Sequence, residues 1–338
     1  MARKGGWRRA GSAGRFRYLD ARGSRITDPA KLERIQALAI PPAWRDVWIS
    51  PRPAAKLQAT GADAAGRRQY LYSPAHRARQ EQAKYDKLIR FAERLPDLRF
   101  AMAEHMQSGE PDFERVCAVA VRLVNLGWFR VGSDRYAKES GTFGITTLAK
   151  RHVSARGTRI TFEFVAKHRV PVRTALVDEE LAAAVKELAA LPGGRRLFRY
   201  RRDGELYNLT GRKLNDYIRE YLGEEFTAKD FRTWGGTLTA AIVFAERGAP
   251  ESEEAGKKAV ANVMRVVGKK LGNTPAVARS SYVSPAVVEQ YLDGRTIGDF
   301  RPRHLRVTGA RDIQLDPEEA ALLSLLRSWR IRSALAAA

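Results

Sequence analysis

Cysteine is almost absent from this chain of 338 residues. The single cysteine, Cys117, lies in an apolar run from Val116 to Val124, which predicts a buried core residue rather than a reactive thiol. One cysteine cannot form an intrachain disulfide, and it cannot supply the several thiolates of a zinc ribbon. The cysteine content therefore excludes disulfide-stapled folds and cysteine-rich zinc folds.

Long hydrophobic segments are also missing. No stretch of the sequence approaches the roughly 20 consecutive apolar residues of a membrane-spanning helix. The N-terminal residues include Trp7 and several arginines but no apolar core segment, so they lack the composition of a secretory signal. We expect a cytoplasmic protein that has no membrane partner.

The usual motifs for metal and nucleotide chemistry are absent as well. The sequence contains no G-x-x-x-x-G-K-[ST] phosphate loop, no H-E-x-x-H zinc motif and no closely spaced pair of aspartates. Its five histidines are scattered along the chain. The sequence therefore predicts no metal site and no nucleotide cofactor, which leaves passive binding or catalysis by side chains alone.

Positive charge, in contrast, is abundant. The chain has 60 lysines and arginines against 38 aspartates and glutamates, a formal net charge of +22. The cations are spread from Arg3 to Arg332, and 44% of the residues are hydrophobic, enough for a packed core. A folded protein with this charge is expected to bind a polyanion, with nucleic acid as the first candidate.

The order of extended and helical periods predicts an α+β protein with three regions. Residues 1–15 are rich in arginine and glycine and are expected to form a flexible basic arm. Residues 16–75 contain short extended runs and one helix over residues 28–39, capped by Asp28, which predicts a small, mostly antiparallel β domain. Residues 76–338 follow a helical period, which predicts a larger, mainly α-helical domain.

The helical domain is interrupted by a patch of three strands at residues 151–176. This patch is predicted because Ile160, Phe162 and Phe164 alternate with polar residues, and it includes a β-hairpin. A C-terminal helix is predicted from Asp316 onwards. The other predicted helices of this domain cover residues 75–94, 96–107, 112–128, 178–191, 210–222, 227–246, 252–270, 274–281 and 284–292.

Four segments of the helical domain carry cations or a nucleophile suited to phosphate chemistry. They are Trp128-Phe-Arg130-Val-Gly-Ser133, Phe164-Val-Ala-Lys167-His168, Lys229-Asp-Phe-Arg232-Thr-Trp234-Gly-Gly236 and Leu271-Gly-Asn273-Thr-Pro-Ala-Val-Ala-Arg-Ser-Ser-Tyr282-Val-Ser-Pro285. Phosphoryl transfer without a metal needs a nucleophile, cations for the charge of the transition state, and an acid for the leaving oxygen. Taken singly, each residue also has an ordinary alternative, such as a packing tyrosine, a helix-capping asparagine or a solvated surface charge.

The order R…K…K-x-x-R…G-N-T-P…S-Y resembles the type IB DNA topoisomerases, especially the short bacterial and poxvirus-like forms. Further phrases are similar to the same family: Ile40-Pro-Pro-Ala-Trp44 with Val47-Trp48-Ile49, Gln58-Ala-Thr-Gly61, and Tyr136 followed by Gly141-Thr-Phe-Gly144. The resemblance covers about residues 16–295. It implies a small β-rich DNA-binding domain followed by a helical catalytic domain.

The resemblance also implies a role for each residue of the candidate site. Tyr282 would attack the scissile phosphate and hold the 3′ end of the broken strand as a phosphotyrosine. Arg130 and Arg232 would bind the non-bridging oxygens, and Lys167 would protonate the leaving 5′ oxygen. Asn273 stands where many members of the family have a histidine, and its amide can donate the same hydrogen bond without a charge. The implied activity is relaxation of positive and negative supercoils without ATP or metal.

The candidate nucleophile needs an environment that favours its ionised form. A free tyrosine has a pKa of about 10. We expect Arg130, Arg232 and Lys229 to stabilise the phenolate of Tyr282 by their charge.

The expected partner is double-stranded DNA, bound by a monomeric protein associated with the nucleoid. Side chains of both domains are candidates for contacts with bases or phosphates. These DNA-binding candidates are Arg67, Arg68, Gln69, Tyr70, Tyr72, Ser133, Tyr136 and Lys229.

Two other functions fit part of the pattern. A tyrosine recombinase shares the catalytic logic, but it is expected to carry H-x-x-R where this chain has Lys229-x-x-Arg232, and to begin with a helical domain. A non-catalytic protein that binds DNA or RNA would use the positive charge alone. The β-rich N-terminal region and the G-N-T-P motif favour the topoisomerase.

Overall fold

The computed structural model describes residues 5–12, 14–301 and 313–337. The chain divides into two compact units, Met1–Asp86 and Lys87–Ala338. The division falls inside helix α2, which spans Pro74–Met106, rather than after residue 75. The change from extended to helical periodicity marks where this helix begins, and the first turns of the helix still belong to the first unit.

The first unit is built on an antiparallel sheet of five strands in the order β2-β1-β3-β4-β5. The strands are β1 (Trp7–Ala10), β2 (Arg17–Leu19), β3 (Arg45–Ile49), β4 (Leu57–Ala62) and β5 (Arg68–Tyr72). Helix α1 (Pro29–Ala37) begins after Asp28, whose carboxylate accepts the N–H groups of Ala30 and Lys31. The predicted antiparallel N-terminal sheet and its helix are confirmed.

Strand β1 lies within the predicted flexible arm, and for Trp7–Ala10 that prediction is wrong. Trp7 is buried, and Arg9 donates through Nη2 to the carbonyl oxygen of Trp44 at 2.6 Å. An arm rich in arginine and glycine was expected to stay unfolded, but one large apolar side chain is enough to attach it to a core. Residues 1–4 and 13 of the predicted arm lie outside the described residues. The core of this unit consists of Trp7, Ile26, Ile35, Val47, Ile49 and Ala59.

The second unit is mainly helical, which confirms the predicted fold class. Besides the second part of α2, its helices are α3 (Phe113–Gly127), α4 (Asp134–Ser140), α5 (Glu179–Ala190), α6 (Gly211–Leu222), α7 (Ala228–Arg247), α8 (Glu253–Leu271), α9 (Pro275–Ser281), α10 (Pro285–Leu292) and α11 (Pro317–Ala337). They enclose a single large apolar core. Cys117 is buried in that core as predicted, and burial raises the pKa of its thiol.

Helix α2 is continuous where two helices, 75–94 and 96–107, were predicted. Pro96 lies inside it. Proline removes one backbone donor and commonly ends a helix. Here Leu95 and Leu98, on either side of the proline, are both 0% exposed in the core. Their packing outweighs the loss of one helical hydrogen bond.

The three-strand patch is present as β6 (Val153–Arg156), β7 (Arg159–Ala166) and β8 (Val170–Val177), paired in the order β6-β7-β8. Every second residue of β7 is buried, which is the alternation expected of a strand with one face on the core. The turn between β7 and β8 carries Lys167.

Two short elements were not predicted, helix α4 and the hairpin formed by β9 (Arg199–Arg202) and β10 (Glu205–Asn208). The strands of this hairpin are rich in charged residues, so the alternation of apolar and polar residues that predicts a strand is not visible in them. Their turn carried a usable signal, because Asp203 and Gly204 have φ angles of 51° and 81° and an Asp-Gly pair favours such two-residue turns.

Candidate active site

Arg232 on helix α7 connects three parts of the second unit. Its side chain is buried, with 5% exposure. Nη1 donates to the carbonyl oxygen of Trp128, just after α3, and Nη2 donates to the carbonyl oxygen of Leu271, at the end of α8, at 2.7 Å. The third nitrogen of the guanidinium, Nε, is buried, and its N–H has no acceptor among the described residues.

The Nε–H of Arg232 is free to donate to a ligand. Burial lowers the pKa of Arg232, with a further contribution from the nearby charge of Arg130, but a guanidinium stays protonated in proteins. A buried charged group with an unused donor is costly unless an anion completes its hydrogen bonds. The site is therefore suited to an oxyanion such as a phosphate.

Tyr282 follows helix α9 directly and is half-buried. The centre of its ring lies 5.1 Å from the guanidinium carbon of Arg232. Its N–H donates to the carbonyl oxygen of Ala278 at 3.0 Å, and its carbonyl accepts the hydroxyl of Thr237 at 3.1 Å. The backbone of Tyr282 is thus held by both α9 and α7.

Helix α7 approaches Tyr282 closely because residue 236 is a glycine. A Cβ atom at Gly236 would lie 2.7 Å from the carbonyl oxygen of Tyr282 and 3.1 Å from its Cβ. The next residue, Thr237, is 0% exposed, and its hydroxyl also accepts the N–H of Ser284 at 3.1 Å. The Gly236–Thr237 pair therefore fixes the chain on both sides of the tyrosine.

Arg130 and Asn273 are directly connected. Nη2 of Arg130 donates to Oδ1 of Asn273 at 2.8 Å, and Nδ2 of Asn273 donates to the carbonyl oxygen of Leu271 at 3.3 Å. That carbonyl also accepts Arg232, so hydrogen bonds link both arginines to the same loop. Asn273 does not cap helix α9, because Thr274 does so.

The cations of the site change the acidity of Tyr282. Burial by itself would raise the pKa of Tyr282, but the Arg232 guanidinium, and after it the charges of Arg130 and Lys229, outweigh burial. The net result is a pKa below the ordinary value for tyrosine. This is the direction that the sequence predicts, and it comes from the three cations named for it.

Lys167 lies at the turn of the β7–β8 hairpin and is exposed. The two residues after it, His168 and Arg169, both have left-handed backbone, with φ of 65° and 59°. The hairpin reaches the other site residues at its turn end: a Cβ atom on Gly272 would lie 3.5 Å from Val170, the first residue of β8, and 4.0 Å from Nη1 of Arg130. The structure thus brings together Tyr282, Arg130, Arg232 and Asn273, and it leaves Lys167 on a hairpin beside them.

The predicted DNA contacts in the second unit lie on its surface. Lys229 is exposed in the first turn of α7, where its charge acts on Tyr282. Ser133 precedes α4 and makes no capping hydrogen bond, so its hydroxyl is available. Tyr136 on α4 is 42% exposed.

The predicted DNA contacts in the first unit lie on both faces of strand β5 and, for Arg67, just before it. Arg68, Tyr70 and Tyr72 are exposed on one face, where the two tyrosine rings stack with centroids 6.3 Å apart. Gln69 is on the opposite face and donates to Asp63 at 2.9 Å, and Arg67 donates to the same carboxylate at 2.8 Å. The exposed face suits contacts with DNA, whereas Gln69 and Arg67 are already hydrogen-bonded.

The described residues contain no group of three or more histidine, cysteine, aspartate or glutamate side chains that could hold a metal ion. Within the same residues, no helix is long and apolar enough to cross a membrane.

Several residues that support the site were not recognised from the sequence. Gly236 and Thr237 fix the backbone of Tyr282, and the carbonyl oxygens of Trp128 and Leu271 hold Arg232. Two adjacent glycines followed by threonine inside a helix are a signal of close packing, because glycine is unfavourable there without such a reason. The two carbonyl acceptors could not be predicted from the sequence, because every residue type has a backbone carbonyl group.

Two family models and several viral proteins match this chain. Residues 73–296 match the model of the eukaryotic DNA topoisomerase I catalytic core, and residues 15–63 match that of the bacterial DNA topoisomerase IB N-terminal domain. The chain is 34% identical over 268 residues to the DNA topoisomerase 1B of Acanthamoeba polyphaga mimivirus, covering 77% of this chain and 80% of that protein.

Poxvirus proteins are similar as well. The DNA topoisomerase 1B of Vaccinia virus (strain Copenhagen) is 24% identical over 273 residues, which cover 79% of this chain and 83% of that protein. The DNA topoisomerase 1 of Rabbit fibroma virus (strain Kasza) is 24% identical over 245 residues, covering 71% and 74%. The core model spans most of the chain and the mimivirus relative aligns with most of its length, so the chain belongs to the type IB DNA topoisomerases, a family of isomerases.

Proposed function

We propose that the protein relaxes positively and negatively supercoiled duplex DNA by cutting and resealing one strand through Tyr282, without ATP or metal. The observation that carries this proposal is the pairing of Tyr282 with Arg232. The tyrosine ring lies 5.1 Å from a buried guanidinium that keeps one donor unused, and nearby cations lower the pKa of the phenol. Such a site supplies a nucleophile and an oxyanion donor side by side.

In the proposed cleavage step, the phenol of Tyr282 gives its proton to solvent, and the phenolate oxygen attacks the scissile phosphorus. A bond forms between this oxygen and phosphorus, and the bond from phosphorus to the 5′ oxygen breaks, so that the electron pair leaves with the 5′ oxygen. The broken strand rotates about the intact one, and the 5′ hydroxyl then attacks the phosphotyrosine in reverse. One phosphodiester replaces another in each step, which is why no energy source is needed.

The arginines are assigned to the non-bridging oxygens of the phosphate. Arg232 would use its free Nε–H, while Nη1 and Nη2 each donate one hydrogen bond to a carbonyl oxygen. Arg130 is oriented by the amide oxygen of Asn273. In this arrangement Asn273 acts mainly on Arg130, and its own amide donor is directed to the carbonyl of Leu271.

Lys167 is assigned as the acid that protonates the leaving 5′ oxygen. It is exposed on the β7–β8 turn next to the loop that holds Asn273, so a bound strand can lie within its reach. An alkoxide is a poor leaving group, and a positioned acid typically accelerates such a step by about 10²–10⁴-fold.

Replacing Lys167 with alanine is expected to slow single-turnover cleavage by about 10²-fold, at the lower end of that range because the side chain is exposed. A substrate whose 5′ bridging oxygen is replaced by sulfur tests the reason, because a thiolate leaves without protonation. The variant should cleave this substrate at close to the wild-type rate. A defect of equal size on both substrates would contradict the role as acid and would indicate a role in binding.

The DNA surface is assigned to the exposed face of strand β5 and to the surface groups of the second unit. Arg68, Tyr70 and Tyr72 would contact the duplex from the first unit, and Ser133, Tyr136 and Lys229 from the second. Arg67 and Gln69 remain candidates that would first have to leave Asp63. We further propose that the protein acts as a monomer in the cytoplasm, on nucleoid DNA, and uses no nucleotide cofactor.

The proposed function is tested with a supercoiled plasmid in the presence of EDTA and without ATP. The expected result is a ladder of partly relaxed topoisomers from plasmids of either sign of supercoiling. A mobility shift without relaxation would reduce the protein to a DNA-binding role, and recombinant products that require paired sites would identify a recombinase. The sensitivity of relaxation to salt should be steep, because much of the affinity comes from phosphate contacts.

A further inference from the structure

Helix α11 lies outside the part of the chain that matches the catalytic core model, which ends at residue 296. It nevertheless packs against the helices that carry the active site. Its buried residues Ala321, Leu322, Leu325 and Leu326 belong to the same apolar core as α7 and α10. Helix α11 also makes polar contacts with these helices, and a helix that only covered the apolar core would not require them.

Glu319 is the centre of these contacts. Only 4% of this glutamate is exposed. Its carboxylate accepts two hydrogen bonds from Arg99, each at 2.8 Å, one from Nε1 of Trp234 at 3.1 Å and one from the N–H of Asp316 at 3.1 Å. A buried carboxylate with this many donors has a fixed position, and it fixes the groups that donate to it.

Trp234 connects Glu319 to the active site. It lies two residues after Arg232 on helix α7, and successive helix residues are about 100° apart, so the two side chains point to nearly opposite sides of the helix. Arg232 faces the tyrosine, and Trp234 faces α11. Glu319 therefore contacts helix α7 on the side opposite Arg232. A shift of this helix would move Arg232 relative to Tyr282.

Helix α11 also holds the chain that follows Tyr282. Helix α10 begins at Pro285, and its buried residue Gln290 donates to the carbonyl oxygen of Leu325 at 2.8 Å. Trp329 donates to Glu289 at 2.8 Å on the same helix. One helix thus contacts both the element that carries Arg232 and the element that follows the tyrosine.

We propose that Glu319 is a positioning residue for cleavage: through Trp234 it sets the place of Arg232 against Tyr282. This inference rests on the proposed roles of Tyr282 and Arg232. It gives Glu319 of helix α11 a role in positioning Arg232. The bound DNA does not touch Glu319 in this role, so the effect is on the rate of the chemical step and not on affinity.

The test is the variant Glu319→Gln, with Glu318→Gln as the matched control. Glu318 is the preceding residue of the same helix and forms a more exposed ion pair with Arg301 at 2.7 Å. Cleavage is measured in a single turnover on a DNA whose released strand is too short to be rejoined. The rate constant reports the chemistry of folded protein, whereas the amplitude reports how much protein is folded.

Glu319→Gln is expected to lower the rate constant about tenfold. The dissociation constant for DNA, measured in a Tyr282→Phe background, should stay within about twofold. The pH dependence of cleavage should move to higher pH, since a more distant Arg232 lowers the pKa of Tyr282 less. Glu318→Gln should match the wild type in all three measurements.

A second variant covers the case in which Glu319→Gln does not fold. Trp234→Phe removes one donor to Glu319 and keeps the ion pair with Arg99, and it should lower the rate constant about threefold with the same shift in pH dependence. Wild-type rate constants with lower amplitude or melting temperature would overturn the inference, because α11 would then only stabilise the fold. A covalent adduct that survives Tyr282→Phe would instead overturn the proposed function.

Discussion

Tyr282→Phe is expected to form no covalent adduct with DNA and to relax no supercoils, a loss of at least about 10⁴-fold. The substitution removes the attacking oxygen and, with it, the hydrogen bond between the phenol and Arg232. The ring that packs against Arg232, and the backbone bonds to Ala278 and Thr237, do not involve that oxygen. The variant should therefore fold and bind DNA like the wild type, so that any loss of activity reports on chemistry.

The adduct is detected as a protein–DNA band that resists denaturing detergent. With a label at the 5′ end of the cleaved strand, the label should move with the protein, because the 3′ end is the one that becomes attached. Tyr291→Phe, a change of the same kind in the neighbouring helix α10, is the control and should keep the adduct. An adduct in the Tyr282 variant, or a label at the 3′ end moving with the protein, would exclude the proposed intermediate.

The local signals of the sequence were enough for most of the fold. The alternation along β7 and the capping residue Asp28 each act within a few residues, so their elements could be predicted from short segments. The predictions were wrong where contacts between residues far apart in the sequence determine the local structure. Trp7 folds an arginine-rich segment into the sheet, and core packing around Pro96 keeps one helix continuous.

The active site shows the same division. Residue type and order selected Tyr282, Arg130, Arg232 and Asn273, and the structure brings these four side chains into one site. The sequence could not predict how they are held, because the partners of Arg232 are backbone carbonyls from two other segments. It also could not predict the support of helix α7 by Glu319, since that glutamate lies far along the chain and resembles any other in composition.

After Tyr282, Arg232 is the residue whose replacement is expected to reduce the cleavage rate most. In the proposed reaction it would donate its free Nε–H to the phosphate; in the structure it lowers the pKa of Tyr282 and donates to the carbonyl oxygens of Trp128 and Leu271. Losing one preorganised donor to a transition-state oxyanion typically costs about 10²–10³-fold. The change in the acidity of the nucleophile adds to this, so Arg232→Gln is expected to reduce single-turnover cleavage by about 10³-fold at neutral pH.

The pH dependence separates the two contributions. Below the pKa of Tyr282, the reactive phenolate increases about tenfold for each pH unit, so the cleavage rate should rise with pH and then level off. Because the charge of Arg232 lowers that pKa, Arg232→Gln should move the levelling to higher pH and recover part of its activity there. Arg232→Lys keeps the charge without the planar fork, so it should stay slow with little shift. If all three proteins level off at the same pH, Arg232 acts on the phosphate alone, and the acidity of Tyr282 must come from Arg130 and Lys229.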